Sequence, residues 1–142
     1  MEHTKIVIDT MYTLSISVRK YFHKKLALLN LDITYEMIRL LAILSRNNYM
    51  NQQEIADIST KNKASLTSLL DNMQKRELIV RTEDDLDRRN KIISLTAKGK
   101  AYMKEVSPVV NTFFQLVEDH IGKQEMERMN KTIMKINQLL NV

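Results

Sequence analysis

The tightest constraint on this chain is its shortage of turn-formers: 142 residues include two glycines, Gly99 and Gly122, and one proline, Pro108. A sandwich or barrel joins many short strands through Gly- and Pro-rich turns, so an all-β fold is excluded. What remains is a chain of helices, several of them long. Hydrophobic residues make up 44% and charged residues 27% of the sequence, too apolar a balance for a disordered chain. The length suits a single domain, 1–142, that buries roughly 70% of the surface its unfolded chain would expose.

Helical periodicity is plain at both ends. Val7, Met11, Leu14, Val18, Tyr21 and Phe22 fall on one face of a first helix. Met126, Met129, Ile133, Ile136 and Leu140 do the same on the last. Between them, Val106, Val110, Phe113, Val117 and Ile121 stripe a long helix expected from near Thr96 to Gly122, with Pro108 expected to kink or break it. Such stripes either pack on their own domain or form a seam with a second copy. A compact middle segment covers three long stripes poorly, which favours the second copy.

The middle has a different texture. Thr34 is placed to cap a helix running to about Arg46, with Ile38, Leu41, Ala42 and Leu44 inward. Asn51 and Glu54 have the spacing of a capping box and open a short helix holding Ile55, Ala56 and Ile58. Asn62 caps the next, whose apolar face is Leu66, Leu69, Leu70 and Met73. Leu78 to Thr82 and Lys91 to Leu95 then read as two strands of a β-hairpin joined by a charged loop. Helix, short helix, turn, helix and hairpin is the order of a winged helix-turn-helix. The expected fold class is therefore mainly α with a small β-hairpin: a winged lobe over 31–99, and a helical dimerisation region from 1–30 and 100–142.

Several function classes drop out. With no cysteine there is no thiol nucleophile, thiolate metal site, disulfide or thiol redox sensor. No Gly-rich phosphate loop is present, and His3, His23 and His120 lack metal-ligand spacing, so neither an enzyme nor a cofactor is expected. The methionines near the end, Met126, Met129 and Met134, read as packing residues. The longest uncharged run, Val106 to Val117, is too short and polar to span a membrane, and Met1 to Lys5 does not open a signal peptide. A cytoplasmic location is expected.

Charge points to an anionic partner. The net charge is +5, and residues 61–100 hold 10 of the 22 basic side chains. On the helix after Asn62, the face opposite the leucines carries Ala64, Ser65, Thr67, Ser68, Asp71, Asn72 and Lys75. Small residues near its start allow close approach to a DNA major groove. Lys61 and Lys63 flank that start, where phosphates also meet the helix N-terminus. The hairpin tip, Asp87-Arg88-Arg89-Asn90-Lys91, puts three cations on a projecting loop, and an arginine there suits the minor groove. The plainer alternatives are a solvated polar helix face and a flexible charged loop.

Asp87-x-Arg89, followed by five residues and then Leu95-Thr96-x-x-Gly99, resembles the wing signature of the MarR (multiple antibiotic resistance regulator) family. Asn51 to Ala56 resembles that family's entry into the helix-turn-helix. Ser65-Leu66-Thr67 through Lys75-Arg76-Glu77-Leu78-Ile79 resembles its recognition helix and following strand. The resemblance implies a homodimer with intertwined terminal helices, bound to a pseudo-palindromic site on double-stranded DNA. It makes Arg89 the minor-groove residue with Asp87 as its buttress, and 62–68 the reading end of the recognition helix. It further implies a transcriptional repressor released by a small aromatic or phenolic effector. Glu77 departs from the pattern, which often has glycine there, and this puts the hairpin angle at issue. The alternative is a winged-helix module that binds another protein.

Overall fold

A computed structural model describes residues 1–47, 49–59 and 61–141. The elements are α1 (Glu2–Ala27), α2 (Tyr35–Arg46), β1 (Met50–Asn51), α3 (Gln52–Ser59), α4 (Lys63–Lys75), β2 (Ile79–Glu83), β3 (Lys91–Leu95), α5 (Ala97–Ile121) and α6 (Lys123–Leu140). Backbone contacts group them into two units, Met1–Val106 and Ser107–Val142.

In the first unit, local chemistry sets the helix ends. Thr34 Oγ1 accepts from the Met37 amide at 3.2 Å, and Asn62 Oδ1 accepts from the Ser65 amide at 2.8 Å. Asn51 Oδ1 accepts from the Glu54 amide at 2.8 Å. Glu54 answers through the side chain of Asn51 rather than its backbone amide, Nδ2 donating to Oε1 at 2.9 Å. Each cap satisfies amides that the first helical turn leaves without partners.

The core is built from α2, α4 and the sheet. Ile38, Leu41 and Leu44 are buried as the spacing predicts, and Met37 and Leu40 join them. Ala42 is half-buried. From α4 come Leu66, Leu70 and Met73; from α3, Ile55, while Ile58 stays exposed. Each fully buried aliphatic side chain contributes about 1.5–3 kcal/mol. At the end of α1, Phe22 is buried and stacks on Tyr35 with ring centroids 5.0 Å apart. Further back along the same helix, Ile6, Val7, Ile8, Tyr12 and Leu14 are exposed.

The sheet has three strands where the sequence reading expects two. Its order is β1-β3-β2, all antiparallel, with Met50 opposite Ile93 and Arg81 opposite Ile93 from the other side. β1 is two residues long, too short to leave a periodic signal, and it exists because β3 offers it an edge.

Glu77 takes φ 60, the left-handed conformation that a glycine would adopt without strain. It terminates α4: the Glu77 amide donates to the Gln74 carbonyl and the Leu78 amide to the Met73 carbonyl. This is a Schellman turn with a glutamate in its left-handed position.

The second unit comprises the rest of α5, which stays helical through Pro108 without the break the sequence allows, and α6. No residue of α6 is buried. Phe114, Leu116, Ile121, Met126, Met129 and Met134 are all exposed apolar side chains.

Candidate nucleic-acid interface

The site is built on α3, α4 and the wing. Residues Ala64, Ser65, Ser68 and Asn72 recur at helical spacing along α4 and are all exposed, opposite buried Leu66, Leu70 and Met73. The apolar face anchors the helix, so the polar stripe is held outward without bulky side chains. Asn62 and Lys63 at its start are exposed, and Lys61 is half-buried.

Two of the expected readers also have structural duties. Asn62 is the α4 cap. The Thr67 hydroxyl is half-buried, donates to the Lys63 carbonyl at 2.8 Å and accepts from Gln52 Nε2 at 2.7 Å. Its one hydrogen is therefore spent on α4, and the residue latches α3 to α4. Farther along, Asn72 Oδ1 accepts from Arg76 Nε at 3.3 Å.

The wing is ordered by its own aspartates. Asp84 Oδ1 accepts from the Leu86 amide at 3.0 Å, and Asp87 Oδ1 accepts from the Arg89 amide at 3.0 Å. The same Asp87 oxygen lies 3.5 Å from Arg89 Nε, while the Arg89 side chain is 93% exposed. A carboxylate that holds both backbone and guanidinium limits where a projecting arginine points. Arg88 and Lys91 are exposed beside it, and Lys91 Nζ is 3.5 Å from Glu83 Oε1.

These parts meet around one open groove of about 500 Å³. Lys61, Lys63 and Thr67 line it from α4 and its approach, Arg89 and Lys91 from the wing, and Gln52 and Gln53 from the start of α3. Of the remaining expected residues, Asn62, Ala64, Ser65, Ser68, Asn72, Asp87 and Arg88 lie outside its lining. Four cations from two separate elements thus converge on a cleft whose walls also carry amide donors and acceptors. That arrangement suits a polyanion with readable edges.

Sequence reasoning missed Asn90, Gln52 and Gln53 as groove residues, and Arg81 as a wing support. Arg81 Nη1 donates to Asp71 Oδ1 and to Gln74 Oε1, both at 2.8 Å. An arginine two residues after Ile79, on the inward alternation of the strand, is the signal for it. Among the described residues, no cluster of His, Cys, Asp and Glu could hold a metal ion.

The chain is similar to the HTH-type transcriptional regulator FarR of Neisseria gonorrhoeae, with 26% identity over 67% of this chain and 65% of that protein. It is similar to the HTH-type transcriptional regulator SarZ of Staphylococcus aureus, with 31% identity over 61% of this chain and 61% of that protein. The match therefore spans less than two thirds of the length of either relative. In three dimensions it is similar to MepR of S. aureus, solved as a complex with DNA: TM-score 0.82, 24% identity, 90% of this chain and 93% of that one covered. At that identity the likeness is one of fold. Residues 33–91 match the sequence model of the MarR family. Over that segment the chain matches the MarR family, and the three-stranded architecture built around it is that of a winged helix-turn-helix.

Proposed function

We propose that this protein is a sequence-specific regulator of transcription that binds double-stranded DNA as a homodimer on a pseudo-palindromic operator. The observation that carries the reading is the convergence of Lys61, Lys63, Arg89 and Lys91 on one groove beside the small-residue face of α4. The cations meet phosphates, α4 enters the major groove, and Arg89 reaches the minor groove. MepR, similar in fold, was solved on DNA. Residues 31–99 form the reading lobe, and 1–30 with 100–142 form the dimerisation region. The exposed apolar residues of α1 and α6 support that division, since a second copy covers them.

The dimer occludes a promoter and so represses. A small organic effector, aromatic or phenolic, releases it by favouring a spacing of the two α4 helices that does not match successive major grooves. A hundredfold loss of affinity needs only about 2.7 kcal/mol of such preference. Such a regulator works in the cytoplasm. Among the described residues, no helix is long and apolar enough to cross a membrane.

The test is footprinting of the purified protein on DNA flanking its own gene, at several salt concentrations. Two protected half-sites about 34 Å apart, weakening steeply with salt, are expected. Uniform weak binding without a footprint would overturn the reading and favour a protein-binding winged module.

A further inference from the structure

Arg81 occupies a position that an apolar residue would fill better for stability alone. On β2 it shares a face with buried Ile79 and stands opposite buried Ile93. Its side chain is 18% exposed, and its Nε is buried without a hydrogen-bond partner. Burying a guanidinium carries a desolvation cost that a leucine in the same place avoids. What the arginine adds is direction. One nitrogen, Nη1, is held by two acceptors on successive turns of α4, Asp71 Oδ1 and Gln74 Oε1.

Among the described residues, backbone hydrogen bonds tie the hairpin to α4 at its base, through the turn at Glu77 and Leu78. Within the hairpin β3 is steadied by β1 at Ile92 and Ile93, whereas β2 is an edge strand, and a link from it to α4 beyond the base sets the angle between wing and helix. At ~3.4 Å per residue, the five residues of β2 carry the wing about 17 Å from that base, so a swing of about 10° displaces the tip by about 3 Å. A hydrogen bond does not survive such a displacement.

We infer that Arg81 is a positioning residue for DNA recognition: by clamping β2 to Asp71 and Gln74 it sets the angle between wing and recognition helix, and so places Arg89. This rests on the DNA-binding reading above. It assigns Arg81 no contact with DNA; the residue acts through Arg89.

A double-mutant cycle on operator DNA tests it. Arg81→Leu alone is expected to weaken binding by about 10-fold and to lower the salt slope by about one charge, as loss of the Arg89 contact would. In an Arg89→Ala background the same substitution should cost less than about 2-fold, while in a Lys63→Ala background the full loss should persist. Arg81→Lys, able to reach one acceptor, should fall between. Equal losses in all backgrounds, or no loss, would overturn the proposal. If Arg81→Leu does not fold, Asp71→Asn, at a side chain 53% exposed, takes its place in the cycle. A readout free of DNA separates this inference from the function it rests on. The chain has no cysteine, so a nitroxide on Leu86→Cys, at the 96% exposed wing tip, reports wing motion alone. Its spectrum should sharpen with Arg81→Leu in the free protein; an unchanged spectrum refutes the clamp. Failure of the wild type to bind any operator overturns the function and leaves the spectrum to decide the clamp.

Discussion

A β-carbon added to Gly99 would lie 2.1 Å from the carbonyl oxygen of Leu78. The first turn of α5 is pressed against the base of the wing at that point. Thr96 caps α5 with its Oγ1, accepting from the Gly99 amide at 3.0 Å, while its own amide donates to the Leu78 carbonyl at 3.1 Å. The Leu-Thr-x-x-Gly run thus has a mechanical reading: threonine ties the helix to the hairpin, and glycine lets the two backbones touch.

Gly99→Ala should therefore destabilise the protein by about 1–3 kcal/mol or more, because the obstacle is backbone and cannot swing aside. Urea unfolding followed by circular dichroism gives the value. An unchanged midpoint would mean that α5 and the hairpin are not in close contact.

Glu77→Gly should act in the opposite direction. Relief of the left-handed strain, about 1–2 kcal/mol for a residue with a β-carbon, outweighs the greater freedom glycine gives the unfolded chain, about 0.4–1 kcal/mol. A net gain of about 0.5–1 kcal/mol in the same unfolding experiment is expected. Glu77→Val, β-branched at the same φ, should lose stability.

Arg89→Ala should weaken operator binding by about 1–3 kcal/mol and blunt discrimination at A·T positions flanking the half-sites. Lys63→Ala should weaken all duplexes alike and reduce the salt slope by roughly one. Fluorescence anisotropy on operator and scrambled duplexes separates the two. Normal operator affinity in Arg89→Ala would remove the wing from the interface.

Met129→Glu, on the exposed apolar face of α6, should raise the dissociation constant of the proposed dimer about 100-fold, near 2.7 kcal/mol, by placing a charge on the face proposed to meet the second copy. Light scattering across a dilution series measures it. A wild-type protein that is folded and monodisperse as a monomer would defeat the dimer outright.

The positions of the helices and the hairpin were legible in the sequence because their causes are local. A cap joins residues three apart, as at Thr34, Asn51 and Asn62, and an apolar stripe declares its face within two turns. The basic wing and the small-residue face of α4 were legible for the same reason: each is a run of neighbours.

Tertiary structure alone decided which of these pieces meet. β1 became a strand because β3 stood beside it, not through any pattern in Met50 and Asn51. The Gln52 amide found Thr67 fifteen residues away, and Arg81 found Asp71 and Gln74 across the hairpin base. Lys61 and Lys63 came to share a groove with Arg89 and Lys91. Such pairings depend on the angles at which elements pack, and those angles follow from the shapes of the buried side chains between them. Periodicity records which face of an element turns inward; it carries no record of what that face will touch.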